Sequence, residues 1–151
     1  ITVTAKVFAN QMYSENTIQL NAYNEEKNAN FRLSSGIVKI PNARLSYEPG
    51  IALLNNWGMQ DSEIGHIGQA LIMDRRQVDR YKSTANSEEL MFRLDNNGKA
   101  RIFITAELEK VRTDQRRVVA KTAPVWENHC RRLAQRVLNP IQVKIDTLET
   151  R

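Results

Sequence analysis

The chain has 151 residues, 41% hydrophobic and 26% charged, a balance that excludes wholesale disorder. A chain of this length buries roughly 70% of its unfolded surface, so it folds without a metal or disulfide staple. The single cysteine, Cys130, excludes an internal disulfide framework. No apolar run approaches the ~20 residues of a membrane-spanning helix, so a soluble domain over residues 1–151 without a membrane partner is expected. The formal charge of +5 is uneven, −1 over residues 1–75 and +6 over 76–151. A surplus gathered in one half suits a phosphate-rich partner, although a merely solvated basic face has the same composition. Ile1 in place of Met points to a processed or trimmed N-terminus, with any targeting peptide lost from view.

The first stretch alternates. Val3, Ala5, Val7 and Ala9 share one strand face, and Thr4, Lys6 and Phe8 the other. Asn10 to Asn16 reads as a loop, Thr17 to Tyr23 as a strand with Ile18, Leu20 and Ala22 inward, and Asn24 to Asn30 as a polar turn. Phe31-Arg32-Leu33 enters a third strand, broken at Ser34-Ser35-Gly36, where turn chemistry is expected. Ile37 to Ile40 follows, Pro41-Asn42 interrupts, and Ala43 to Tyr47 resumes the alternation until Glu48-Pro49-Gly50. From about Asp61 or Ser62 a helix is predicted, because Ile64, Ile67 and Leu71 recur at i, i+3 and i+7. Gly65 and Gly68 weaken it by roughly 1 kcal/mol each, which implies close packing against backbone.

In the second half, Gln77 to Lys82 reads as a short strand. Leu90, Phe92 and Leu94 alternate toward the turn Asp95-Asn96-Asn97-Gly98, in which Gly98 can adopt positive φ. Ile102, Ile104, Ala106 and Leu108 form the expected inward face of the returning strand, and Arg116 to Lys121 reads as a last strand. Pro124 suits the first turn of a helix whose apolar stripe is Trp126, Cys130, Leu133 and Val137, and Asn139-Pro140 ends it. Phe31-Arg32-Leu33-Ser34-Ser35-Gly36 echoes Phe92-Arg93-Leu94-Asp95-Asn96-Asn97-Gly98. The predicted fold class is therefore α+β: two antiparallel sheets of about four strands, each followed by a helix. The domain divides as a pseudo-repeat over 1–75 and 76–140 with a tail at 141–151.

Catalytic signatures are missing. There is no phosphate-binding loop, dinucleotide fingerprint or nucleophile elbow, and Gly65-His66-Ile67-Gly68 lacks the lysine that would grip a phosphate. His129 and Cys130, adjacent on a helix, point about 100° apart and make a poor metal pair. No enzyme activity, cofactor or metal is expected. The chemistry that remains is a sheet face carrying cations and aromatics. The outward residues Lys6, Arg32, Lys39, Arg44, Arg93 and Arg101, bordered by Arg80, Lys82, Arg116, Arg117 and Lys121, are the candidate nucleic-acid contacts. Tyr23 and Phe103 are expected on the same kind of face, with packing beneath a helix as the alternative. Same-face strand residues lie about 6.5–7 Å apart, close to the phosphate spacing of an extended single strand. With few amide or carboxylate groups to read base edges, binding would be electrostatic and sequence-tolerant. Arg131, Arg132 and Arg136 share one side of the last helix, exposed or paired.

Met59 to Ile67 resembles the entry to the first helix of the Whirly-type fold, where a Thr/Ser-Glu-Val/Ile-Gly pattern recurs. Leu90 to Leu108, Arg116 to Lys121 and Ala123 to Leu138 resemble that fold's second hairpin, last strand and C-terminal helix. The plant single-stranded-DNA-binding branch carries Lys-Gly-Lys-Ala-Ala-Leu in an early strand, where this chain has Val3-Thr4-Ala5-Lys6-Val7-Phe8. Size, basicity and the hairpin–strand–helix ending are more similar to the guide-RNA-binding family of kinetoplastid mitochondria, and to its second, more basic subunit. The resemblance implies a mitochondrial protein that pairs with a homologous second subunit in a heterotetramer. Such a protein binds guide RNA through the sugar–phosphate backbone and promotes its annealing to messenger RNA during RNA editing. Two other functions stay open: single-stranded DNA binding, and a non-catalytic assembly role on an acidic protein.

Overall fold

Period-two alternation folds most of the chain into antiparallel strands, and one stretch of helical periodicity forms the long C-terminal helix. The computed structural model describes residues 1–8, 11–28, 30–110 and 120–140. In chain order they form β1 (Thr2–Val7), β2 (Tyr13–Gln19), the one-turn α1 (Glu25–Asn28), β3 (Leu33–Val38), β4 (Arg44–Glu48), β5 (Leu53–Asp61), β6 (Gly65–Met73), β7 (Val78–Ser83), β8 (Ser87–Phe92), β9 (Lys99–Leu108) and α2 (Ala123–Leu138). A six-stranded sheet has the order β1-β2-β9-β6-β5-β4, and a three-stranded sheet has the order β3-β8-β7.

The larger sheet is the middle layer. On one face the small sheet brings Ile37, Leu90 and Phe92 against Leu54, Leu71, Met73 and Ile102. On the other, α2 brings Trp126, Cys130, Leu133 and Val137 against Leu53, Trp57, Ala70, Ile72 and Phe103. The helix is built as its sequence implies: Thr122 is extended, Pro124 lies in the first turn, and the Asn139 N–H donates to the Gln135 carbonyl at 3.1 Å just before Pro140. Its seat depends on Gly68, where a Cβ would stand 2.6 Å from the Trp126 ring. Gly98 has φ +70° and closes the β8–β9 turn, with Asp95 Oδ1 accepting from the N–H groups of Asn97 and Lys99.

The structure corrects several expectations. Two sheets are present, but they have six and three strands, and the described residues contain one long helix rather than two. Asp61 to Leu71 is not a helix. It is the β5–β6 hairpin, in which Asp61 Oδ1 accepts from the N–H groups of Glu63 and Ile64, and Gly65 takes φ +77°. A strand buried on both faces carries apolar residues on both sides, so Ile64, Ile67 and Leu71 matched a helical spacing without forming one. The segment resembling the first Whirly-type helix is therefore strand and turn, and among the described residues no helix closes the 1–75 half. The expected loop at Asn10 to Asn16 overlaps β2, which begins at Tyr13, and Ser34-Ser35-Gly36 runs inside β3, held by the β8 ladder. On β9 the inward face changes. Ile102 is buried under the small sheet, but Ile104 and Ala106 are exposed while Phe103, Thr105 and Glu107 are buried on the helix side. The predicted strand at Arg116 to Lys121 lies outside the described residues except for Ala120 and Lys121.

Trp126 is fully buried at the centre of the helix–sheet contact. Trp126→Ala should lower unfolding free energy by about 3–5 kcal/mol, measured by urea denaturation.

Candidate nucleic-acid interface

The helix face of the six-stranded sheet is only partly covered. α2 packs mainly against β5 and β6 and reaches Phe103 of β9 and, through Arg136, Tyr13 of β2, so the rest of the β9–β2–β1 wing lies beyond its footprint. Register shows what the wing presents on that side. Phe103 shares a row with Glu15 and Lys6, Arg101 with Thr17 and Thr4, and Lys99 with Gln19 and Thr2. Lys99 and Arg101 alternate along one strand, so they stand about 7 Å apart on one face. Glu15 Oε1 lies 3.7 Å from Arg101 Nη1, a loose pair at an exposed position.

Beside the wing opens a cleft of about 860 Å³, bounded by β9, the β6–β7 and β8–β9 turns and the end of α2. Arg75, Arg76, Arg93, Lys99 and Arg101 line it, against the acids Asp74 and Asp95. Asp95 is occupied by its own turn, and Asp74 Oδ2 accepts from Arg76 Nη2 at 2.6 Å. The Arg76 hydrogen bond outweighs burial and holds the Asp74 carboxyl below the usual range. With Arg93 bonded to Asp79 and Arg101 loosely paired with Glu15, Arg75 and Lys99 are exposed cleft cations that no acid among the described residues holds.

At its far end the wing carries aromatic rings among cations. The Arg101 guanidinium sits 5.7 Å from the centroid of Phe103, and Phe103 meets Tyr13 edge-on at 6.1 Å. Tyr13 contacts the exposed Phe8 at 5.7 Å, and Arg136 of α2 lies 5.9 Å over Tyr13. These distances suit cation–π attraction, which orients the guanidinium groups along the wing.

The eleven sequence-predicted cations do not share one sheet face. Lys6 lies on the wing, Arg101 on both wing and cleft, and Arg93 at the cleft rim. Arg32, Arg80, Lys82 and Arg93 project from the outer side of the small sheet, where Arg32 and Arg93 both bond Asp79. Arg44 and Lys39 are elsewhere and engaged structurally. Arg44 Nε pairs at 2.6 Å with the buried Glu127 of α2, and Lys39 stands 3.5 Å from the buried Glu88. Lys121 is exposed before α2, and Arg116 and Arg117 lie outside the described residues. Tyr23 packs on the core against Gly98, and Phe103 is buried, so neither is the open aromatic that alternation implied. The reading of the sequence missed Arg75, Arg76, Lys99, Arg136, Phe8 and Tyr13. Lys99 was discoverable, since it shares a strand face with Arg101, whereas Arg75 and Arg76 were hidden by treating the preceding strand as helix.

Burial pushes the Cys130 thiol well up, and burial with Arg132 and Arg136 nearby pushes His129 down. Among the described residues no three His, Cys, Asp or Glu side chains are grouped to hold a metal, and no helix is long and apolar enough to cross a membrane. Comparison with known proteins finds no matching family model, no similar curated protein and no similar solved structure.

Burial pushes Asp79 up, but hydrogen bonds from Arg93 and Arg32 outweigh it and hold the carboxyl below its usual range. Its stabilising contribution is therefore complete above the unfolded carboxylate pKa and is lost as pH falls through the folded value. Asp79→Asn should reduce the drop in melting temperature between about pH 5 and pH 2 relative to the parent chain, read by circular dichroism.

Proposed function

We propose that this chain binds single-stranded RNA by its sugar–phosphate backbone, with little regard for sequence. The observation that carries the reading is the cleft in which Arg75, Arg76, Arg93, Lys99 and Arg101 converge, continuous with the wing that bears Lys6. A strand laid along Lys99 and Arg101 meets cations at about its own phosphate spacing, and Thr4, Thr17 and Gln19 supply hydroxyl and amide groups along the same face. The face offers few groups that discriminate base edges, so the bases stay available for pairing. Neutralising part of the backbone charge also weakens repulsion from a second strand, which accelerates annealing without covalent chemistry.

The resemblance to the guide-RNA-binding family gives this activity a setting. In that setting the chain works without catalysis in mitochondria, beside a homologous subunit in a heterotetramer, and promotes guide RNA–messenger RNA pairing. Its support is the second half, where the β8–β9 hairpin and α2 follow in the expected order.

Salt titration of fluorescence anisotropy with an unstructured RNA oligomer tests the reading. Five phosphate contacts give a slope of log affinity against log salt of about −3.5. Lys99→Ala with Arg101→Ala should lower affinity for all sequences and flatten the slope by roughly 0.7 per lost contact. Arg44→Ala should leave the slope unchanged and reduce stability instead, because it strips a cation from buried Glu127. An unchanged slope in the double variant places binding elsewhere. Equal or tighter binding of the matched DNA oligomer favours a single-stranded DNA-binding protein, and salt-indifferent weak binding favours assembly on an acidic protein.

A further inference from the structure

We propose that two copies of this chain associate through β1, edge to edge and antiparallel, with Ala5 on the two-fold axis. The Leu20 N–H donates to the Gly98 carbonyl, which fixes the alternation of backbone bonds along the β2–β9 ladder. Odd-numbered residues of β2 consequently bond toward β1, and their partners there are Thr2, Thr4 and Lys6. Val3, Ala5 and Val7 direct their N–H and C=O groups to the side on which no strand of the described residues pairs. All six residues of β1 are exposed, with Val3 at 64% and Val7 at 82%.

The other strand edges carry protection that β1 lacks. β7 is bulged between Val78 and Arg80 and carries Asp79, Arg80 and Lys82. β4 is tied to α2 by Arg44–Glu127 and Glu48–Arg131, and on β3 the Val38 N–H is taken by Gln69 Oε1. The β1 ladder has no register shift, no proline and one charge, Lys6.

A second copy matches this edge in both hydrogen bonding and charge. With Ala5 opposite Ala5 of the other copy, Val3 falls opposite Val7 and each of these pairs exchanges both backbone bonds. The exposed valines then cover each other on one face. On the opposite face Lys6 falls between its own Glu15 and Thr4 of the other copy, so no two lysines meet. A two-fold axis normal to the sheet keeps both wings on the same side. If the RNA reading holds, the dimer presents Lys6, Lys99 and Arg101 of both copies as one cationic surface; the pairing itself does not depend on that reading.

Sedimentation equilibrium without nucleic acid tests the pairing separately from binding. The parent chain should sediment at twice its chain mass at micromolar concentration. A5K, which sets two lysines face to face on the axis, and V3K/V7K, which sets like charges opposite each other, should both sediment as single chains. V3E/V7K should keep the dimer, since this register opposes the two substituted positions. Circular dichroism verifies that each variant stays folded, with A5P, whose lost N–H faces outward, as an alternative to A5K. A monomeric parent chain, or V3E/V7K and V3K/V7K behaving alike, overturns the proposal.

Discussion

Six strands side by side span about 24 Å, whereas a helix with its side chains is only about 10–12 Å wide. Among the described residues, one long helix and a three-stranded sheet therefore leave part of both faces of the larger sheet uncovered. The covered strands β5 and β6 hold Leu53, Leu54, Leu71 and Ile72, all fully buried. The exposed β1 and the half-buried β2 carry threonines, glutamine, glutamate and lysine beside Tyr13 on the helix side. This mismatch of widths divides the molecule into a packed body and an open wing.

Charge follows the same division. Within the body, cations serve buried acids: Arg44 and Arg131 reach Glu127, and Lys39 reaches Glu88, which also accepts a hydrogen bond from the Tyr81 hydroxyl. Burial pushes Glu88 up, yet its hydrogen bonds outweigh that and keep it below the usual carboxylate range, so it stays ionised and holds its partners. Such pairs fix geometry more than they add stability, because the desolvation cost offsets most of the attraction. At the cleft the balance reverses. Its acids are held by a turn and by Arg76, and cations remain in excess. The cleft thus mixes cations held by acids, Arg76, Arg93 and Arg101, with Arg75 and Lys99, which pair with no acid among the described residues.

Local signals carried the elements that depend on local physics. Pro124, the Trp126–Cys130–Leu133–Val137 stripe and Asn139-Pro140 specified α2, and Asp95 to Gly98 specified the β8–β9 turn. They failed where burial on two faces removed the pattern. β6 carries His66, Gly68, Ala70 and Ile72 toward the helix and Ile67, Gln69, Leu71 and Met73 toward the small sheet, so no polar face remained to reveal a strand. β9 misled in the same way, with Phe103 as well buried as Ile102. Among the site residues, Lys6, Arg93 and Arg101 were legible from alternation, whereas Arg75 and Arg76 acquire their place only when the β6–β7 turn meets the β8–β9 turn at the mouth of the cleft.

Composition and pattern alone determined a mixed α+β chain with a basic second half and its amphipathic C-terminal helix, because each follows from counts or short-range spacing. Which strands neighbour one another, which sheet face each cation occupies and which arginines are engaged by buried acids were decided only by the tertiary structure. Strand pairing joins residues as distant as Glu15 and Phe103, and nothing in the spacing of either segment encodes the other.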